Sequence, residues 1–270
     1  MKLRVLFVQN TTNDQLVKKF RAMPRFRSLE FIPLVGEDKK VRAQLEQTSG
    51  PVVLIWGSGE QHDLSYHLTK KGIWLKVNLD LHSDTGFTEL NYWPSHLRDP
   101  SPLYANHMKR TKDDGVEIIT PNTFDSFASR FRWLKVLGYA ERKGAFYGPD
   151  QIGVTIDCDV LPCFPVQEVW IKDTGLFVTE IIALILSLEN RIGKLDIGGM
   201  LNNIPEFRLI EDIEKPTFEE TLAFVRKFDN IARDSSPEVS QELIDKVCSY
   251  ATMAYVRVLE AFAQVNGYDA

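Results

Sequence analysis

Long hydrophobic runs are missing from this chain. The longest apolar stretch, Ile181 to Leu188, is far too short to span a bilayer, which takes about 20 residues. Cysteine is scarce too: Cys158, Cys163 and Cys248 form an odd set with no regular spacing. That excludes a disulfide framework and points to a reducing compartment with free thiols. Cys158 and Cys163 are too few for a structural zinc site by themselves and read as packing residues. Excess positive charge is absent as well. The formal charge is -5 and the pI near 5.6, so composition gives no pull toward nucleic acid or anionic lipid. Internal repeats, low-complexity tracts and evident linkers are also lacking. The chain runs at once into a strand-like segment, Leu3–Val8, without the apolar core and cleavage site of a secretory signal. These absences predict a soluble, cytoplasmic protein. With 270 residues, 44% of them hydrophobic, the chain can bury a sizeable core, and it reads as a single domain over residues 1–270.

What is present is an alternation of strand-like and helix-like segments. Apolar, β-branched runs recur at Leu3–Val8, Pro51–Trp56, Ile73–Leu81, Val116–Thr120 and Gln151–Ile156, with a further one around Leu195–Leu201. Helical patterns are predicted over Asp63–Lys71, Thr123–Leu137 and Thr179–Ile192, the last with Thr179 as its cap. A helical C-terminal segment, residues 216–266, contains Thr217–Ala232 and Pro237–Val265. Strands alternating with helices argue for an α/β fold with a mainly parallel sheet flanked by helices on both faces. Segment 85–115 is read as irregular, with Tyr92, Trp93, Pro94, Pro100 and Pro102, and as a natural substrate loop.

Two clusters of metal-capable side chains follow predicted strands. Asp80, His82 and Asp84 stand at i, i+2 and i+4, and Asp157 and Asp159 at i, i+2. Extended backbone would turn each set to one side. Burying five such groups without a cation would cost several kcal/mol, on the order of that for any unpaired buried charge. A metal site is the economical reading, with two metals, since carboxylates bridge ions roughly 3.5–4 Å apart. In α/β sheets, ligands bind beyond the carboxyl ends of the strands, where these clusters fall.

A third segment, Gly57-Ser58-Gly59-Glu60-Gln61-His62, places a histidine between a glycine-rich turn and a helix. Taken in order with Asp80-Leu81-His82-Ser83-Asp84 and Asp157-Cys158-Asp159, it resembles the pattern of the arginase/agmatinase (ureohydrolase) superfamily. Thr174-Gly175-Leu176-Phe177-Val178-Thr179-Glu180 is similar to a further element of that family. The resemblance covers about residues 50–205 and is carried by the motifs. It implies a three-layer α/β/α fold and two Mn²⁺ ions per chain. His62, Asp80, Asp84 and Asp157 would hold one ion, and Asp80, His82, Asp157 and Asp159 the other. Water acidified by both cations would attack a guanidinium carbon, releasing urea and an amine. Glu180 would pair with the guanidinium through two parallel N–H bonds. A histidine from the following loop, His96 or His107, would protonate the leaving amine; the sequence leaves that choice open.

The departures from the family pattern bear on the substrate. No third Asp follows Asp159, Glu60 and Gln61 replace the usual Gly and Asp before His62, and Gly86 stands where arginases carry Asn. The contacts to a free amino-acid head group cannot be placed. Within the resemblance this favours peptide arginases, which convert arginine to ornithine inside a precursor peptide, with Gly86 and Trp93 as substrate-binding candidates beside Glu180. The alternatives are a free-guanidine hydrolase of agmatinase or arginase type, an amide hydrolase with a single zinc, and a metal-stabilised peptide-binding protein. The expected partner is a guanidino substrate, with neither nucleic acid nor membrane; a homo-oligomer stays open. Arg130 and Arg132 read as a solvated helix face, and His67 as a plain helix residue.

Overall fold

The computed structural model describes residues 2–57, 61–80, 107–120, 130–161, 176–199 and 241–268; side chains are described for these except at 130–132, 159 and 241–251. Its strands are β1 (Leu3–Val8), β2 (Leu29–Leu34), β3 (Val52–Ile55), β4 (Leu75–Leu79), β5 (Glu117–Ile119), β6 (Ile152–Asp157) and β7 (Ile192–Gly198). They form one sheet in the order β2-β1-β3-β7-β6-β4-β5, and every neighbouring pair is parallel. After β3 the chain places β4 beyond its immediate neighbour, and β6 and β7 later fill the gap. The carboxyl ends of β3, β7, β6 and β4 therefore stand side by side although the sequence separates them widely. A change of winding direction of this kind opens a crevice at the strand ends of α/β sheets.

The helices are α1 (Thr11–Ala22), α2 (Asp38–Glu46), α3 (Leu64–Thr69), α4 (His107–Asp113), α5 (Arg130–Gly144), α6 (Val178–Leu188) and α7 (Gln241–Val265). Alternation along each strand divides them between two faces. Leu75, Val77 and Leu79 of β4, with Ile152, Val154 and Ile156 of β6, join one apolar cluster with Phe20 of α1, Val136 of α5, Ile185 of α6 and Leu259 of α7. On the other face Leu6, Val52, Leu54 and Trp56 pack with Val41 and Leu45 of α2 and Leu64 and Leu68 of α3. The predicted α/β sheet flanked by helices on both faces is thus the observed one. No helix among the described residues is long and apolar enough to cross a membrane.

Several expectations need correction. The irregular reading of 85–115 fails at its end, where α4 forms over His107–Asp113. Helix α6 begins at Val178, so Thr179 is not its cap. Phe177 precedes it, and its backbone N–H donates to the Glu180 carboxylate at 2.9 Å. The helix stops at Leu188, and a short 3₁₀ turn, Glu189–Arg191, leads directly into β7 at Ile192. Extended backbone does not persist past β6 either. Cys158–Val160 is a 3₁₀ turn, so Asp157 and Asp159 do not share a strand face. Helices α1 and α2 and strand β2 went unanticipated. Of the predicted helical segments, residues 123–129 and 217–232 lie outside the described residues.

Candidate metal centre

The middle of the sheet is not apolar on the side that carries α3. There β4 presents Lys76 and Asn78 and leads into Asp80, β6 presents Gly153, Thr155 and Asp157, and β7 presents Lys194, Asp196 and Gly198. Register aligns Asn78 with Thr155 and Thr155 with Asp196, and further along it aligns Asp157 with Gly198. Lys76, Asn78, Thr155 and Asp196 have no exposed surface. Such a layer is tolerable only if its groups satisfy one another. Asp196 accepts from Trp56 Nε1 at 3.1 Å, from Ser65 Oγ at 2.7 Å and from Thr155 Oγ1 at 3.1 Å. Burial pushes its carboxyl up, and Lys76 and those three donors oppose the shift.

Above this layer, at the strand ends, three donors converge. His62 Nδ1 lies 3.5 Å from Asp80 Oδ2 and 3.4 Å from Asp157 Oδ2. His62 and Asp80 are 3% and 1% exposed, and Asp157 8%. Each comes from a different strand end. Asp80 directly follows β4, Asp157 is the last residue of β6, and His62 sits on the turn between β3 and α3. That turn is fixed at both ends. Gln61 Oε1 accepts from the backbone N–H of Gly57 at 3.0 Å, and the Ser65 N–H donates to the His62 carbonyl at 3.1 Å. Gln61, a departure from the family pattern, therefore has a local task in closing the loop that aims His62.

The residues present fit a divalent cation. An imidazole nitrogen that faces two carboxylates suits a hard-to-borderline divalent ion. Space is kept for them at Gly199. A Cβ there would stand 2.1 Å from Asp157 Oδ1, and the backbone φ is +88°, so only glycine suits the position without strain. Its N–H donates to Gly57 O at 2.8 Å, tying the β7 end to the His62 turn.

His107, at the start of α4, enters the same cluster. A nitrogen of His107, a nitrogen of His62 and an oxygen of Asp80 lie within 4.8 Å of one another. His107 is fully buried, and its Nδ1 is 3.2 Å from the Lys76 ammonium nitrogen. Burial first, then the charges of Lys76 and Arg110, hold its imidazole well below the ordinary histidine range.

Of the residues anticipated from sequence, His62, Asp80, Asp157 and His107 are brought together. Glu180 lies in the first turn of α6 with one oxygen on the Phe177 N–H. His82, Asp84, Gly86, Trp93 and His96 lie outside the described residues, as does the Asp159 side chain. His67 faces away from the centre: its Nδ1 meets Glu46 Oε1 at 2.7 Å. Cys158 is buried and packs as expected, its thiol 3.7 Å from the Tyr255 hydroxyl. Sequence reasoning missed Trp56, Ser65, Lys76, Thr155, Asp196 and Gly199. Strict polar alternation in Leu75-Lys76-Val77-Asn78-Leu79-Asp80 was the available signal. In a strand covered on both faces, that alternation means a buried polar layer rather than a wet face.

No protein-family model and no curated protein matches this sequence. Solved structures match it by fold. The agmatine ureohydrolase of Thermoplasma volcanium aligns over 98% of this chain and 90% of its own, with a TM-score of 0.56 at 12% identity. A hypothetical agmatinase from Burkholderia thailandensis aligns over 99% of this chain and 87% of its own, with a TM-score of 0.55 at 12% identity. Arginase from Bacillus subtilis aligns over 96% and 98%, with a TM-score of 0.53 at 13% identity. This chain has the arginase-like three-layer α/β/α fold.

Proposed function

We propose that this protein is a metal-dependent ureohydrolase that cleaves a guanidino group to urea and an amine, and that its substrate is arginine within a peptide. The observation that carries the reading is the meeting of His62, Asp80 and Asp157 at three strand ends of an arginase-like sheet. His82, Asp84 and Asp159 would complete the ligand set for two Mn²⁺ ions in this reading, with Asp80 and Asp157 contributing to both. When bound, the ions supply the Lewis acidity that makes water a nucleophile at neutral pH.

The chain's own residues do the rest. Asp80 and Asp157, buried at the ends of β4 and β6, would offer carboxylate oxygens to the cations. Glu180 offers a carboxylate near the start of α6 to a planar guanidinium, whose fork matches two carboxylate oxygens. His96 is the donor of a proton to the leaving amine. His107 suits that task less, because it is fully buried and its Nδ1 faces Lys76. Gly86 and Trp93 are the sequence's candidates for contacting the substrate main chain.

The deciding experiment measures urea from the Mn²⁺-loaded protein with a blocked arginine peptide, free arginine and agmatine. The peptide should exceed free arginine in kcat/KM by about tenfold or more, because backbone contacts add binding the free amino acid lacks. Free arginine or agmatine ahead by that margin would return the reading to a free-guanidine hydrolase, which the likeness to agmatinase structures also accommodates. Urea from none of the three would sink the class. Glu180→Gln separates two roles for that residue: glutamine can still accept the Phe177 N–H but carries no charge for a guanidinium. Turnover should fall by orders of magnitude with metal retained; unchanged turnover reduces Glu180 to a helix-capping residue.

A further inference from the structure

Stacking around His62 goes beyond what a metal ligand requires. The Trp56 indole lies parallel to its imidazole, with centroids 4.3 Å apart and planes 16° apart. The His107 ring stands 4.1 Å away with a 42° tilt. Each of these two rings is tied to a buried charged group of the polar layer: Trp56 Nε1 donates to Asp196 Oδ1 at 3.1 Å, and His107 Nδ1 meets Lys76 Nζ at 3.2 Å. Lys76 and Asp196 in turn attract one another. Room for the indole is made at Gly198, where a Cβ would stand 2.0 Å from Trp56 Cδ2.

We propose that the Trp56 indole clamps the ring plane of His62 for metal binding, with Asp196 holding the indole in place. Metal-binding histidines are commonly oriented by a hydrogen bond from their second nitrogen. Here His62 Nδ1 faces Asp80 and Asp157, and the stacked indole adds a constraint on the ring plane. Trp56 is a positioning residue in this scheme, acting through His62. The inference rests on the reading of His62 as a metal ligand.

The test needs no substrate. Mn²⁺ affinity of the full chain is read from the electron paramagnetic resonance signal of the unbound ion, and folding from circular dichroism melts. Trp56→Leu should weaken Mn²⁺ binding by about 10–100-fold, while Trp56→Phe, which keeps a flat face, should lose much less. Gly198→Ala should resemble Trp56→Leu, because its methyl displaces the indole. The double variant Gly198→Ala/Trp56→Leu should be no worse than Trp56→Leu alone, since both changes act through one ring. Additive losses, or unchanged affinity in folded Trp56→Leu, overturn the clamp. Should Trp56→Leu fail to fold, the cycle is run with Trp56→Phe. There Gly198→Ala must do less harm beside phenylalanine than beside tryptophan, and equal harm overturns the proposal. An unaltered chain that takes up no Mn²⁺ overturns the metal reading itself, and the clamp with it.

Discussion

The two faces of the central strands are built from neighbouring residues yet obey opposite rules. On the α1/α5/α6/α7 side, Leu75, Val77, Leu79, Ile152, Val154, Ile156, Leu195 and Ile197 form a continuous apolar surface. On the α3/α4 side the intervening residues are Lys76, Asn78, Asp80, Thr155, Asp157, Lys194 and Asp196, equally buried. Burial of carbon on the first side drives folding, at roughly 25 cal/mol per Å² of apolar surface. Burial of charge on the second side opposes folding unless each group finds a partner. A parallel sheet covered on both faces normally reads as an unbroken hydrophobic run. Here one face has given up that contribution to hold a polar scaffold beneath the candidate centre. The apolar side carries stability, and the polar side carries the candidate centre.

The largest expected effects come from adjacent residues that belong to opposite sides. Asp157→Asn or Asp80→Asn should reduce Mn²⁺ uptake and urea release to background. The metal-free protein should melt at the same temperature or higher, because a buried charge has been removed. Ile156→Ala, one residue before Asp157, should do the reverse. It should lower the unfolding free energy by about 2–5 kcal/mol, read by urea titration, and leave Mn²⁺ bound per folded chain unchanged. A folded Ile156→Ala protein without metal would show that the two faces are not separable.

Much of the division was legible in the sequence, and its failures have physical causes. Strands β1, β3, β4 and β6 announce themselves by β-branched runs, and the motifs at their ends supply His62, Asp80 and Asp157, which the structure brings together. Strand β2 was hidden by Pro33 and Glu30. It is one of the two edge strands, the position where a sheet tolerates proline. Helix α4 was hidden because its buried residues are His107, Met108 and Thr111, two of them polar, so no apolar stripe marks it. Asp196 and Lys76 were hidden for the same reason in strand form. Polar residues in a strand suggest solvent, and only the three-dimensional order, with β6 and β7 inserted beside β4, reveals that they are interior. Asp159 misled in the other sense: i, i+2 spacing implies a shared face only while the backbone stays extended.

Gly199 probes how tightly the polar face is fitted. Gly199→Ala adds one methyl group at a positive φ and against Asp157 Oδ1. The backbone strain should cost about 1 kcal/mol of stability. Displacement of the carboxylate should weaken Mn²⁺ binding about tenfold, in the range seen when groups supporting metal ligands are altered. Calorimetric titration with Mn²⁺ measures the second effect and thermal melts of the metal-free protein the first. Unchanged affinity would mean that Asp157 has freedom to move aside, contrary to a fitted centre.

The smallest effect concerns Lys194, at the far end of the same polar face. Its ammonium donates to Gly50 O at 2.9 Å and to Thr48 O at 3.2 Å. Burial, aided by the charge of Arg4 and opposed by Asp150, lowers its pKa from 10.5 to about 8. Below about 8 the folded and unfolded chains both hold this proton, and stability does not change with pH on its account. Between about 8 and 10.5 the folded chain has lost the proton that the unfolded chain keeps. The unfolded state then binds more protons, so stability rises with pH across that window. Other lysines and tyrosines titrate nearby, which makes the difference between the unaltered chain and Lys194→Met the quantity to read. Denaturant unfolding from about pH 7.5 to 10.5 should show that difference moving in favour of the unaltered chain by on the order of 1 kcal/mol. A flat difference would mean that the carbonyls of Thr48 and Gly50 keep the ammonium charged. The polar face would then support a buried cation by hydrogen bonding alone at its lower end, as it supports buried carboxylates at its upper end.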